Sequence, residues 1–341
     1  MNTRRTFLGA VVATAITVFI SPTVSAEQVY ELKVSTFVPP SHTINREITR
    51  WAADLKQKSN GRLILKLFPS SQMGPVNRQF DLARTGVADI SYVLQGATPG
   101  RFPLTELAQY PGLIPNGKVG SQALMDVKDL LEKEYAGVKV LYFMSTPPVP
   151  LLMASKEITT IDQMHGLRIR HPGTVYASLI SALGATPVGV APSEIADALN
   201  KGTVDGALMS YEGAESFQLG ADLKYATAFN AGVVTFAMVM NPKSYASLPR
   251  DLQKLIDDST GIMAAKRVGT ASDQADEHGL QYMRKHDVKV VTLSEADSKT
   301  YEKITTKLID DKVAALEAKG LPGKAMLKRL KDAVAARAKG Q

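Results

Sequence analysis

Arg170 closes a short strand-like stretch, residues 167–169, and leads directly into a Pro172-Gly173 turn. The carboxyl end of a strand is where open α/β sheets place their ligand contacts. A planar guanidinium there can grip a carboxylate with two parallel hydrogen bonds, fixing charge and orientation together. At this level two readings stand side by side: a ligand anchor, or a strand-end arginine that pairs with a surface carboxylate. Arg168, two residues earlier, faces the other side of the strand and is expected to be exposed.

The remaining chemistry-bearing residues do not assemble a reaction centre. Gly112-Leu-Ile-Pro-Asn-Gly117-Lys118 matches most of a phosphate-binding loop, but Val119 replaces the Ser or Thr needed for magnesium and Pro115 interrupts the loop. The chain has no G-x-S-x-G elbow and no G-x-G-x-x-G fingerprint. Of five histidines, His165 and His171 are the closest pair, yet they bracket a strand and do not suggest a metal pair. Asp276-Glu277-His278 reads as a solvated helix face. With no cysteine, disulfides, thiolate metal sites and a cysteine nucleophile are excluded. The sequence therefore points away from an enzyme, and no cofactor or metal is expected.

The elements that must position Arg170 follow from periodicity. Residues 167–169, 186–190 and 204–209 read as strands. Between them run two helices, one after Thr174 as N-cap and closing at Gly184, the other led by Pro192-Ser193-Glu194 and closing at Gly202. This β-α-β-α-β run with short connections is one lobe of a helix-covered sheet. Upstream, residues 30–37, 63–68 and 89–94 read as strands, with helices over 44–55 and 78–85 and a long helix over 119–135. Downstream, residues 228–240 form an unusually long apolar run, read as one strand. Residues 250–286 are helical with breaks near Gly261 and Gly269, and helices over 295–319 and 324–338 end the chain.

The amino terminus reads as an export signal. Arg4-Arg5 precede an apolar or small run of 14 residues, 7–20, and Val24-Ser25-Ala26 is a small-residue cleavage pattern. The run is shorter than the ~18 residues of a membrane span. Both a general secretory and a twin-arginine route fit, the latter lacking its usual basic residue at Gly9. Removing residues 1–26 takes away two arginines and no acidic residue, leaving 38 basic against 33 acidic residues, a net charge of +5. Six Lys or Arg against one Asp lie in residues 324–341, on a helix face opposite Leu327, Leu330 and Val334. That is a solvated face, not a nucleic-acid groove.

Several ordered motifs resemble the extracytoplasmic solute-binding proteins of TRAP (tripartite ATP-independent periplasmic) transporters, the DctP-like family. They are Asp162 with Gly166-Leu-Arg168-Ile-Arg170, Leu183-Gly-Ala-Thr-Pro187, Ser193-Glu194 with Ala198-Leu199, and Val204-Asp205-Gly206. Ser59-Asn-Gly61-Arg62, Phe68-Pro69 through Met73-Gly74, and Thr235-Phe236 through Asn241 extend the likeness over roughly residues 28 to 330. The resemblance implies a two-lobed periplasmic-binding-protein architecture. Each lobe is a helix-covered mixed sheet, a ligand cleft lies between the lobes, and a long helix joins them. The implied division is residues 27–147 with 236–275 in one lobe, and 148–235 with 276–341 in the other.

It also implies that Arg170 is the carboxylate-binding arginine. The other matched positions depart from polar members: Pro150, Leu94, Phe37 and Met209 stand where those carry arginine, glutamate, asparagine and asparagine. Tyr211-Glu212 stand where one branch has Trp-Glu. Arg170, Met209, Tyr211, Phe37, Gln95, Arg101 and Phe236 form the candidate site, mostly apolar around one cation. Arg101, if it turned inward, would offer a second cation. The expected role is a monomeric periplasmic subunit carrying an organic monocarboxylate, with an aromatic or apolar body, to TRAP membrane permease subunits. The alternatives are a C4-dicarboxylate carrier and a periplasmic sensor module.

Overall fold

A computed structural model describes residues 28–339; the export-signal segment, residues 1–26, lies outside them. The chain first builds Tyr30–Ser35 (β1), Leu63–Phe68 (β2), Ile90–Leu94 (β3) and Lys139–Pro148 (β4). It then crosses to a second sheet through Leu151–Met153 (β5), Arg168–His171 (β6), Thr186–Gly189 (β7), Gly206–Leu208 (β8) and Tyr225–Thr227 (β9). Val233–Met240 (β10) returns to the first sheet and Lys289–Val291 (β11) to the second. The sheet orders are β2-β1-β3-β10-β4 and β11-β9-β5-β8-β6-β7. Both sheets are mixed: β10 runs antiparallel between β3 and β4, and β5 runs antiparallel between β8 and β9. This is the helix-covered, two-sheet α/β architecture expected from the sequence.

The expected single strand over 228–240 is shorter. All eight residues of β10 are buried, as a strand covered on both faces requires. Residues 228–232 instead form a crossing between the sheets, turned at Gly232 with φ +96°. A side chain there would collide with the Gln109 carbonyl. The two crossings are tied together: Val149 N–H donates to Gly232 O at 2.9 Å, and Ala231 N–H to Val149 O at 3.3 Å. The expected helix over 119–135 is also interrupted, into Gly117–Asp126, Lys128–Leu131 and a 3-10 turn at Glu132–Tyr135.

Gly261–Lys285 is a continuous helix, so the expected break near Gly261 occurs and that near Gly269 does not. Gly269 serves close packing instead, its Cα face pressed on the Gly117 carbonyl and the Ser121 hydroxyl. The same helix packs on Gly117–Asp126 and β4 at one end and on the helix Tyr211–Ser216 at the other, and so links the two sheets. The terminal helix Gly323–Lys339 lies against Gly117–Asp126, on the side of the first sheet and not of the second, where the expected division put it. Arg329 pairs with Asp129 and Arg337 with Asp126 at 2.6–2.8 Å, while Met326 and Leu330 are buried. Its basic residues are thus partly consumed in ion pairs.

Candidate ligand-binding site

β6 lies between β7 and β8, with Arg170 opposite Val188 and Ala207. Its guanidinium reaches across the strand ends: Nε donates to Val190 O at 3.0 Å and Nη1 to Leu208 O at 3.1 Å. These two carbonyls hold the planar fork in one orientation. The residue is 3 % exposed, and burial lowers its pKa to about 10, still well above neutrality. No described carboxylate pairs with it. The titratable neighbour that registers at it, Tyr176, is kept neutral by its own burial. A buried cation without an anion carries a desolvation cost of several kcal/mol, which an incoming carboxylate offsets. Arg168, as expected, faces outward and pairs with Asp205 at 2.8 Å.

Arg170 borders a cavity of about 50 Å³ between the two sheets, small enough to hold only a few waters. Phe37, Leu94, Met144, Val234 and Phe236 line it from the first sheet's side, and Leu208 and Met209 from the second's. Phe37, Tyr92 and Phe236 are stacked, with centroids 5.7 Å apart for Phe37–Tyr92 and 4.8 Å for Tyr92–Phe236. Two of these rings therefore form an aromatic wall of the cavity, stiffened by the third. The polar residues at the cavity besides Arg170 are His42, Thr146, Ser210 and Glu212.

Four of the seven sequence candidates meet here: Arg170, Phe37, Met209 and Phe236. The other three stand away. Arg101 does not turn inward; its guanidinium lies 4.7 Å over the Phe80 ring and 3.6 Å from Asp81 at the surface. Gln95 is buried but donates to the Tyr135 hydroxyl at 2.9 Å, inside the first lobe. Tyr211 opens the helix Tyr211–Ser216, and successive helical residues are rotated by about 100°; its neighbours Glu212 and Gly213 line the cavity and Tyr211 does not.

His42 is the residue that sequence reading missed. It caps the helix Thr43–Lys58, its Nδ1 accepting from Ile44 N–H at 3.2 Å and lying 3.3 Å from Glu212 Oε1. Its position in the loop that leads from the carboxyl end of β1 to this helix was the available signal. Thr43 N–H donates to the same Glu212 oxygen at 2.8 Å, joining the two lobes. Glu212 N–H in turn donates to Asp276 Oδ1 at 3.1 Å, and burial pushes the Asp276 carboxyl up to about 7. Asp276 is therefore not part of a solvated face, as its sequence context suggested, although its neighbour His278 is exposed and bonded to Glu215.

The phosphate-loop likeness dissolves in the structure. Gly117 and Lys118 N–H donate to Asp273 Oδ1 and Oδ2 at 2.6 and 2.9 Å, and Val119 N–H to Asn116 Oδ1, so a carboxylate already fills the place of an anion. Among the described residues, no group of three or more His, Cys, Asp or Glu could hold a metal ion, and no helix is long and apolar enough to cross a membrane.

A cleft between two α/β sheets, bordered by a buried cation at a strand end, is the arrangement of a two-lobed solute-binding protein. Residues 34–315 match the bacterial extracellular solute-binding proteins, family 7 (DctP). The chain belongs to this family, the solute-binding proteins of TRAP transporters. One similar structure is a TRAP solute-binding protein from Rhodoferax ferrireducens T118 holding copurified benzoate, at 26 % identity and TM-score 0.87, covering 91 % of this chain and 98 % of that one. Another is a marine-metagenome TRAP solute-binding protein specific for aromatic acids, in complex with 3-hydroxybenzoate. It shares 27 % identity and a TM-score of 0.87, covering 91 % of this chain and 99 % of that one. The C4-dicarboxylate-binding periplasmic protein DctP of Rhodobacter capsulatus is 24 % identical over 296 residues, 83 % of this chain and 86 % of the relative.

Proposed function

We propose that this protein is the periplasmic receptor of a TRAP transporter for an organic monocarboxylate with an aromatic or apolar body. Arg170 takes the carboxylate in a two-pronged grip while the stacked wall of Phe37 and Phe236 and the side chain of Met209 cover the body. The observation that carries this reading is a single oriented guanidinium, without a counter-ion among the described residues, in a small cavity whose other walls are mostly apolar. The benzoate and 3-hydroxybenzoate held by the two similar structures support it. Ligand contacts to both lobes would favour the closed arrangement, which the membrane permease subunits would then recognise. The protein would act as a monomer.

A dicarboxylate fits less well. Its second charge would meet Leu94 at the wall and the carboxylate of Glu212, with Arg101 engaged outside, and burying an unpaired anion is costly. A thermal-shift panel distinguishes the two. Benzoate- and cinnamate-type acids should raise the melting temperature more than succinate, malate or sialic acid at equal concentration. A ligand at 100 times its Kd adds about 2.7 kcal/mol of stability, enough for a clear shift. Strong stabilisation by succinate with no response to aromatic acids would transfer the assignment to the dicarboxylate class.

A further inference from the structure

We propose that His42 reads a hydroxyl group on the bound acid, so that the preferred ligand is a hydroxy-substituted carboxylic acid and not a plain hydrocarbon acid. This rests on Arg170 holding the carboxylate, and adds a second polar point of recognition contributed by the opposite lobe.

His42 lines the cavity and is 7 % exposed. Its Nδ1 is committed to the protein, with Ile44 N–H at 3.2 Å and Glu212 Oε1 at 3.3 Å. Burial lowers the pKa of the ring, outweighing the opposing pull of Glu212, so the imidazole is neutral at pH 7. Among the described residues, Nε2 has no hydrogen-bond partner. It is not among the sealed polar atoms, as the Tyr176 hydroxyl is, so it retains open surface.

Where this nitrogen meets the mostly apolar cleft that His42 lines, it loses its water when a ligand enters and must find a replacement or remain unpaired. A hydroxyl both donates and accepts, so it satisfies Nε2 in whichever tautomer the Nδ1 contacts select. A second carboxylate would not serve, because Glu212 already brings a carboxylate to the cavity beside this ring. The recognised class is therefore a carboxylic acid whose body carries a hydroxyl, a phenolic acid where the body is aromatic.

Calorimetry with benzoate, 3-hydroxybenzoate and 4-hydroxybenzoate, on the native protein and on His42→Asn, tests this. Asparagine is a good N-cap, so the variant keeps the helix start while withdrawing the ring from the ligand. At least one hydroxylated acid should bind the native protein about tenfold more tightly than benzoate. In the variant the ratio of the two affinities should fall below about twofold, with the loss falling mainly on the hydroxylated acid. The proposal is overturned if neither hydroxyl improves binding to the native protein, or if the advantage survives in His42→Asn. It is also overturned if the variant loses all three acids together, which would make His42 purely structural. Absence of binding of every aromatic acid to the native protein is a different outcome: it removes the aromatic reading itself, and the role of His42 with it.

Discussion

At the scale of single residues the site turns on Arg170, and its two carbonyl partners decide what a substitution does. Alanine removes the one cation that the described residues bring to the cavity wall and leaves a bound carboxylate unpaired in a closed cleft, a loss of about 2–5 kcal/mol in binding. Because no described carboxylate pairs with the native guanidinium, Arg170→Ala strands no buried anion, and the unliganded fold should melt near the native temperature. Arg170→Lys keeps a charge but not the fork held by Val190 O and Leu208 O, and should also lose most of the affinity. Calorimetry with the best acid of the panel checks both; near-native affinity in Arg170→Ala would remove the anchor. The place of Arg170 at a strand end beside the cavity was legible in the sequence because a strand, a Pro-Gly turn and a helix follow one another locally. His42 was not, since its partner Glu212 is 169 positions away from the adjoining Thr43 that it also binds. Arg101 and Tyr211 show the limit of matching positions along a chain. The side on which a loop arginine or a first-turn helical residue lies depends on rotation and packing, and Phe80 and Asp81 give Arg101 an outward partner.

Among the elements, the seam between the helices Gly261–Lys285 and Tyr211–Ser216 is where sequence pattern was least informative. A triplet of Asp276-Glu277-His278 reads as solvated, yet Gly279 lets the backbone of Tyr211 and Glu212 approach so closely that Asp276 is sealed beneath them. Small residues on a helix signal close packing only once the facing element is known. The burial has a thermodynamic consequence. Asp276 is pushed up to about 7 from an ordinary 3.8, mainly by desolvation, so the folded protein holds a proton that the unfolded chain has released between those values. A carboxyl raised in this way is most favourable to stability below pH 4, and its contribution is lost as pH rises through about 7. Asp276→Asn can still accept from Glu212 N–H and carries no charge to bury. It should therefore gain on the native protein as pH rises from 5 to 8, by up to about 3 kcal/mol. Denaturant titrations across this range check it, and a stability difference independent of pH would mean that Asp276 titrates normally.

For the whole molecule, the question is whether the arrangement described is the one that binding stabilises. The lobes meet along a backbone contact as well as through Thr43 and Glu212. Gly96, just after β3, and Gly173, just after β6, touch so closely that a Cβ on Gly173 would stand 2.7 Å from the Gly96 Cα. A Cβ on Gly96 would stand 2.4 Å from the Pro172 carbonyl oxygen. Gly173 has φ 173° and ψ 176°, extended values open to alanine, so the obstacle is the opposite lobe and not local strain. The contact lies three residues from Arg170, and anything that holds the lobes apart there also holds the cavity open. Gly173→Ala should accordingly leave the unliganded protein's melting temperature within a few degrees, since separated lobes relieve the clash. It should weaken the best acid by tenfold or more, about 1.4 kcal/mol, because binding must then work against the wedge. Small-angle scattering gives an independent readout: saturating acid should reduce the radius of gyration of the native protein and do so less in Gly173→Ala. Unchanged affinity together with a native-like contraction would show that Gly96 and Gly173 do not bear on closure, and the coupling of the cavity to lobe movement would have to run through other contacts, such as those of Glu212 with Thr43 and His42.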